Sequence, residues 1–179
     1  KTQEMLTLPA VNAPMGALTG VKIGAISTSW DRSVLISDLQ ARGAEVVTLT
    51  QPLSEAALAD VDAVIVDDAI ASFTAAEVTI LRDRITAGTG LLCEADNSNS
   101  ITRVNQLLTS TGITAVYNGS FTDLTLTDIR VHPMTIGIST LREVAVGASA
   151  TIGNGAQMLV ADPSGRAHAA VSTLGTGIV

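Results

Sequence analysis

From about residue 20 the chain alternates short apolar runs with stretches whose apolar residues recur at helical spacing. Val21 to Ile26 (VKIGAI) is the first apolar run, and Asp31 to Arg42 carries Val34, Leu35, Ile36 and Leu39 on a helical period. Gly43 stands where a helix C-terminal glycine belongs. Glu45 to Leu49 predicts a second strand, and Ser54 to Ala59 a short helix with Ser54 as its cap. Asp62 to Val66 is apolar after its first residue and predicts a third strand. Thr74, with Glu77 three residues on, has the pattern of a capping box. It opens a helix that runs to about Ala87 and stops at Gly88. Gly90 to Cys93 begins a fourth strand, and Ser100 to Ser110 predicts a fourth helix closing at Gly112. Strand–helix units in this succession imply a parallel sheet with right-handed crossovers, an α/β doubly wound, flavodoxin-like architecture.

After Gly112 the period changes. The pieces TAVYN, DLTLTDIRV, EVAVGA, ATIG, AQMLVAD and HAAVST read as short strands separated by Gly, Asn and Pro turns. They predict a β-rich, antiparallel C-terminal portion packed on one edge or end of the sheet. AQMLVAD and HAAVST form a hairpin around Asp162-Pro163-Ser164-Gly165. The closing Gly-Thr-Gly-Ile-Val predicts a last strand returning to the sheet. Residues 1–19, with two prolines and no period, read as an extended lead-in to one domain over 20–179. The start at Lys1 and the strand-like end read as a piece of a longer protein.

Composition narrows the function classes. Hydrophobic residues make up 46% of the chain and aromatics 2%, so the core is built from Val, Ile, Leu and Ala, as in a parallel sheet buried on both faces. A net charge of −7 with no basic cluster argues against nucleic acid or an anionic membrane as partner. No apolar run reaches the roughly 18–20 residues of a membrane span. Few lysines and many small residues suit a secreted or surface protein of a bacterium. The lone Cys93 forms no internal disulfide and no cysteine metal cage.

In a sheet of this kind ligands bind beyond the carboxyl ends of the strands. Three loops qualify. Ser27, Ser29, Trp30 and Asp31 follow strand one and could hold an anion at a helix N-terminus, or simply cap that helix. Asp67 and Asp68 follow strand three, and Asp96 and Asn97 follow strand four. The carboxylates of Asp67, Asp68, Glu94 and Asp96 could meet around Mg²⁺ or Ca²⁺, or cap helices and meet solvent. No glycine-rich phosphate loop is present, and no cofactor is implied. Cys93 has no flanking glycine to permit a nucleophile elbow and reads as a small core hydrophobe. His132 lies in a turn-forming stretch and His168 in an alternating strand, both read as structural or solvent-facing. Asn118-Gly119-Ser120 fits the glycosylation pattern, which is too short to be specific.

Several of these features together resemble the class I glutamine amidotransferase-like domains of gliding-motility, intraflagellar-transport and trehalose-utilisation proteins. They are the aspartate-led strand Asp62–Val66, the helix start Phe73-Thr74-Ala75-Ala76-Glu77, and Gly88-Thr89-Gly90 before an apolar strand ending in Asp96. Asn105 and His132-Pro133-Met134-Thr135-Ile136-Gly137 complete the likeness. Catalytic members of that superfamily carry a Gly-x-Cys-x-Gly elbow and a His-x-Glu pair. Here the elbow region reads Glu94-Ala95-Asp96-Asn97, and His132 is followed by Pro133 and Met134. The resemblance implies a non-catalytic binding or scaffolding domain, with His132 beside the strand-end residues as candidate ligand contacts. Its partners would be other domains of the same protein or other proteins. The alternatives are a hydrolase or transferase using Cys93 or a carboxylate-held metal, and a purely structural assembly module.

Overall fold

The computed structural model describes residues 14–26, 33–67, 71–119, 123–143 and 147–179. The first half runs β1 (Lys22–Ile26), α1 (Ser33–Ala41), β2 (Glu45–Thr48), α2 (Glu55–Leu58), β3 (Ala63–Asp67), α3 (Ala75–Thr86), β4 (Gly90–Glu94) and α4 (Ser98–Leu108). Its strands form a four-stranded sheet in the order β2-β1-β3-β4, every pair parallel. This is the doubly wound, flavodoxin-like order, with its switch point between β1 and β3.

Local signals start and stop the helices as the sequence implies. Ser54 caps α2, accepting from the Ala57 amide, and Thr74 with Glu77 forms a complete capping box on α3. Gly43 ends α1 at a φ of 100°. The fourth helix begins two residues earlier than the Ser100 start expected from periodicity. Asn97 is its cap and Ser100 occupies the third position, where its hydroxyl accepts the Asn97 amide. A side chain that bonds the free amides of the first turn outranks the onset of the apolar period in setting a helix start.

The core of this half gathers Val64, Val66, Leu81, Ile85 and Leu107, all fully buried, with Leu58, Phe73, Leu91 and Val104 around them. Gly24 lets Leu49 cross β1: a Cβ there would stand 2.9 Å from Leu49 Cγ. Helix α1 adds no residue to this cluster, and its Val34 is 81% exposed.

The second half comprises β5 (Ile113–Tyr117), β6 (Leu124–Leu126), β7 (Asp128–Ile129), a 3-10 turn at Pro133–Thr135, β8 (Leu141–Glu143), β9 (Ala148–Ile152), β10 (Gln157–Ala161), β11 (Ala167–Val171), β12 (Thr173–Leu174) and β13 (Gly177–Ile178). Five of these make a separate sheet, β5-β9-β11-β10-β7, whose paired strands run antiparallel; β6–β8 and β12–β13 are two-stranded pairs. The expected β10–β11 hairpin is present, with Asp162–Gly165 as its turn. The closing strand differs from expectation. Rather than entering the parallel sheet, β13 pairs with β12, and this small hairpin sits on the end of α3, where Thr176 donates to the Thr86 carbonyl. Two residues of extended chain after Gly175 reach only the nearest strand. The expected 1–19 lead-in falls largely on residues 1–13, outside the described residues. At its end, Pro14–Gly20 makes turns tied back to Arg42 through the Leu18 amide.

Candidate functional site

Of the three candidate strand ends, after β1, β3 and β4, that of β4 is described on both sides of its turn. Asp96 leaves β4 and Asn97 caps α4. Asp96 Oδ1 accepts from Asn97 Nδ2 at 2.6 Å and from Ser100 Oγ at 3.1 Å, while Asn97 Oδ1 accepts the amides of Asn99 and Ser100. Both side chains are therefore committed in part to holding the helix start. The same end of the molecule receives β5 and β9. Gly147 donates to the Asp96 carbonyl at 3.2 Å, and the Asn118 amide donates to the Gly147 carbonyl at 2.8 Å. A Cβ at Gly147 would stand 2.7 Å from Tyr117 Cε2 and 3.1 Å from the Asp96 oxygen, so only glycine lets these strands close up. The result is a polar surface of Asp96, Asn97, Asn118 and Ser149 beside a half-exposed Tyr117.

Sequence reasoning named Asp96 and Asn97 here and missed Ser100, Tyr117, Asn118 and Ser149 as their neighbours. Ser100 was findable, since it lies three residues after an Asn cap. Tyr117, Asn118 and Ser149 come from strands whose pairing no local pattern fixes. Ser27, Ser29, Trp30, Asp31 and Asp68 lie outside the described residues, and of Asp67 only the backbone at the end of β3 is described. His132 stands on the turn after β7. Its amide donates to Thr135 Oγ1 and its Nδ1 accepts the Met134 amide, so its hydrogen bonds stay within that turn and none reaches Asp96 or Asn97.

Cys93 packs against the main core from within β4. The residue keeps some exposed surface, but burial pushes its thiol pKa up to about 12. A nucleophilic cysteine needs the opposite shift. The β4–α4 turn also lacks the strained backbone of an elbow: among the described residues Ser110 is the non-glycine residue with positive φ. No three His, Cys, Asp or Glu side chains among the described residues gather where they could hold a metal ion.

Two polar residues of the likeness, Asn105 and Glu77, turn out to be backbone clamps, and so does Gln106. Asn105 pairs with both backbone groups of Ala115 on β5, donating at 2.9 Å and accepting at 2.8 Å. Gln106 does the same for Phe73, both bonds at 3.0 Å. Glu77, 3% exposed, accepts from the Leu53 amide and from the amide and hydroxyl of Thr74. Burial alone would raise its pKa, but these bonds outweigh burial and hold it below the usual range.

No family model and no curated protein matches the sequence. Solved structures do match in fold. The IFT52 N-terminal domain superposes with a TM-score of 0.65 at 18% identity, covering 89% of this chain and 84% of that one. A Thermoplasma acidophilum protein assigned to GMP synthase gives 0.61 at 8% identity, covering 88% and 81%. A ThuA-like protein from Bacteroides uniformis gives 0.51 at 13% identity, covering 96% and 84%. The chain thus shares the fold of these structures, mixed α/β and flavodoxin-like. Identities this low speak for the fold alone.

Proposed function

We propose that this chain is a non-catalytic binding or scaffolding domain of a larger protein. Recognition would occur at the carboxyl ends of β1, β3 and β4, through Ser27, Ser29, Trp30, Asp31, Asp67, Asp68, Asp96 and Asn97, with His132 as a further contact. The observation that carries the reading is the state of Cys93. The sulfur nearest the family's elbow sits in β4 with its pKa pushed up to about 12, before an unstrained, Asn-capped turn. The partner class is protein, in keeping with a neighbour that is itself the N-terminal domain of a longer protein.

Ammonia release from glutamine separates this reading from catalysis. Wild-type protein and Cys93→Ala should both match the blank, and release that disappears in Cys93→Ala overturns the reading. Recognition at the strand ends is tested by Asp96→Ala and Asn97→Ala in the full-length protein. Loss of crosslinking to its co-purified protein partner at an unchanged Tm supports it. Unchanged crosslinking in both variants places the contact elsewhere.

A further inference from the structure

The chain contains two Asn-Gly pairs, Asn118-Gly119 after β5 and Asn154-Gly155 between β9 and β10, and the structure treats their side-chain amides differently. Asn118 Nδ2 donates to Ser149 Oγ at 2.6 Å and to the Val116 carbonyl at 3.3 Å. Asn154 is exposed, and no described residue holds its amide. Gly153 O accepts the Ala156 amide at 3.3 Å across a turn in which Gly155 has a φ of 85°. That is the pattern of a type II turn, in which the Gly155 N–H takes no part in the turn bond, while the Asn154 carbonyl lies toward Gly112. A Cβ at Gly155 would meet nothing within 4 Å, so the space beside its α-carbon is open.

We propose that Asn154 is a site of spontaneous, non-enzymatic deamidation, and that the Ser149 hydroxyl protects Asn118 from the same reaction. The Gly155 nitrogen, losing its proton to water or hydroxide, attacks Asn154 Cγ and closes a five-membered succinimide. The Cγ–Nδ2 bond breaks and ammonia leaves. Water then adds to either succinimide carbonyl, giving aspartate or isoaspartate. The net change is gain of water and loss of ammonia, with no oxidant, cofactor or second protein. At Asn118 the attack requires the amide to leave Ser149 and Val116 first, whereas at Asn154 no described residue holds the amide.

The position gives the modification a structural consequence. Gly153 donates to the Gly112 carbonyl at 2.6 Å, and Ser172 Oγ donates to the Gly155 carbonyl at 3.2 Å. The turn is therefore the point where the start of β5 and the ends of β9 and β11 meet. Isoaspartate inserts a methylene into the main chain between these two anchors, and either product adds a negative charge to an already acidic chain.

The test is incubation of the folded protein at mildly alkaline pH, with peptide mass spectrometry and isoaspartate detection over time. Asn154 should convert several-fold faster than Asn118 in the wild type. Asn154→Gln should abolish the signal in its peptide. Ser149→Ala should raise conversion at Asn118 toward that of Asn154 while leaving Asn154, the internal reference, unchanged. Short synthetic peptides spanning each pair should lose the difference. Equal rates at the two sites in the folded protein, or an Asn118 rate that ignores Ser149→Ala, overturn the proposal.

Discussion

In the parallel half, residues 22–108, burial is carried by large aliphatic side chains from helices and strands far apart in sequence, such as Leu58, Val64, Leu81 and Leu107. From β5 onward this core is met by the small Ala115, Ala150, Ala156 and Ala170 beside the larger Ile113, Leu174 and Val179. The second half's own cluster contains four buried residues, Leu126, Leu159, Val160 and Val171. The buried carboxylates divide the same way. Glu77 holds the backbone at Leu53, twenty-four positions away, whereas Asp162 binds Ser164 and Arg166 of its own turn and His168 just beyond. One half is stabilised by long-range apolar packing, the other by close backbone approach and local polar closure.

Substitutions can break or sharpen this contrast. The largest effect is expected at Leu107→Ala, about 3–5 kcal/mol in urea unfolding, against about 2–3 kcal/mol for Leu126→Ala, because a small cluster near the surface collapses more readily around a cavity. An equal cost at the two sites would erase the distinction between the cores. Glu77→Ala should cost about 2–4 kcal/mol, since it leaves the Leu53 and Thr74 amides without their buried acceptor. It should also raise proteolysis in the 50–54 loop, a readout a purely local role would not move.

Asp162→Asn should cost about 1–3 kcal/mol by removing the charge that Arg166 and His168 face. Its loss should appear as hydrogen exchange confined to β10 and β11. Burial pushes the Asp162 pKa up, but hydrogen bonds from Ser164 and Arg166 prevail and hold it far below the usual carboxylate range. Glu77 is depressed as well. For such groups the stabilisation is present above the unfolded pKa, about 4 for either carboxylate, and is lost as pH falls through the folded value. Wild-type stability should therefore fall below about pH 4, and Asp162→Asn should flatten the most acidic part of that curve, which titration by urea unfolding would show. The smallest effect is expected at Cys93→Ala, about 1 kcal/mol for a small packed side chain. With its pKa near 12 the native thiol should resist a thiol reagent at pH 8 until the protein unfolds.

The sequence was most informative where one signal suffices. Thr74 with Glu77, Ser54, and Gly43 each define a helix end through contacts within a few residues, and the structure has all three. The hairpin at Asp162–Gly165 was legible for the same reason. The start of α4 was misplaced because an apolar period starts later than the cap that begins the helix. At the candidate site, Asp96 and Asn97 were legible as strand-end polar residues, but their partners were not. Ser149 reaches Asn118 across thirty-one positions, and Gly147 joins β9 to the end of β4.

The order of apolar runs and caps by itself determined a parallel α/β half followed by short antiparallel strands, because hydrophobic period and capping act over distances the chain spans in a few residues. Only the tertiary structure decided that Asn105 and Gln106 clamp backbone on Ala115 and Phe73, that Cys93 is a high-pKa thiol, and that β13 pairs with β12 outside the parallel sheet. Those outcomes depend on which surfaces meet across long loops, where the burial of apolar area and the pairing of buried polar groups decide the arrangement and no local pattern in the chain encodes it.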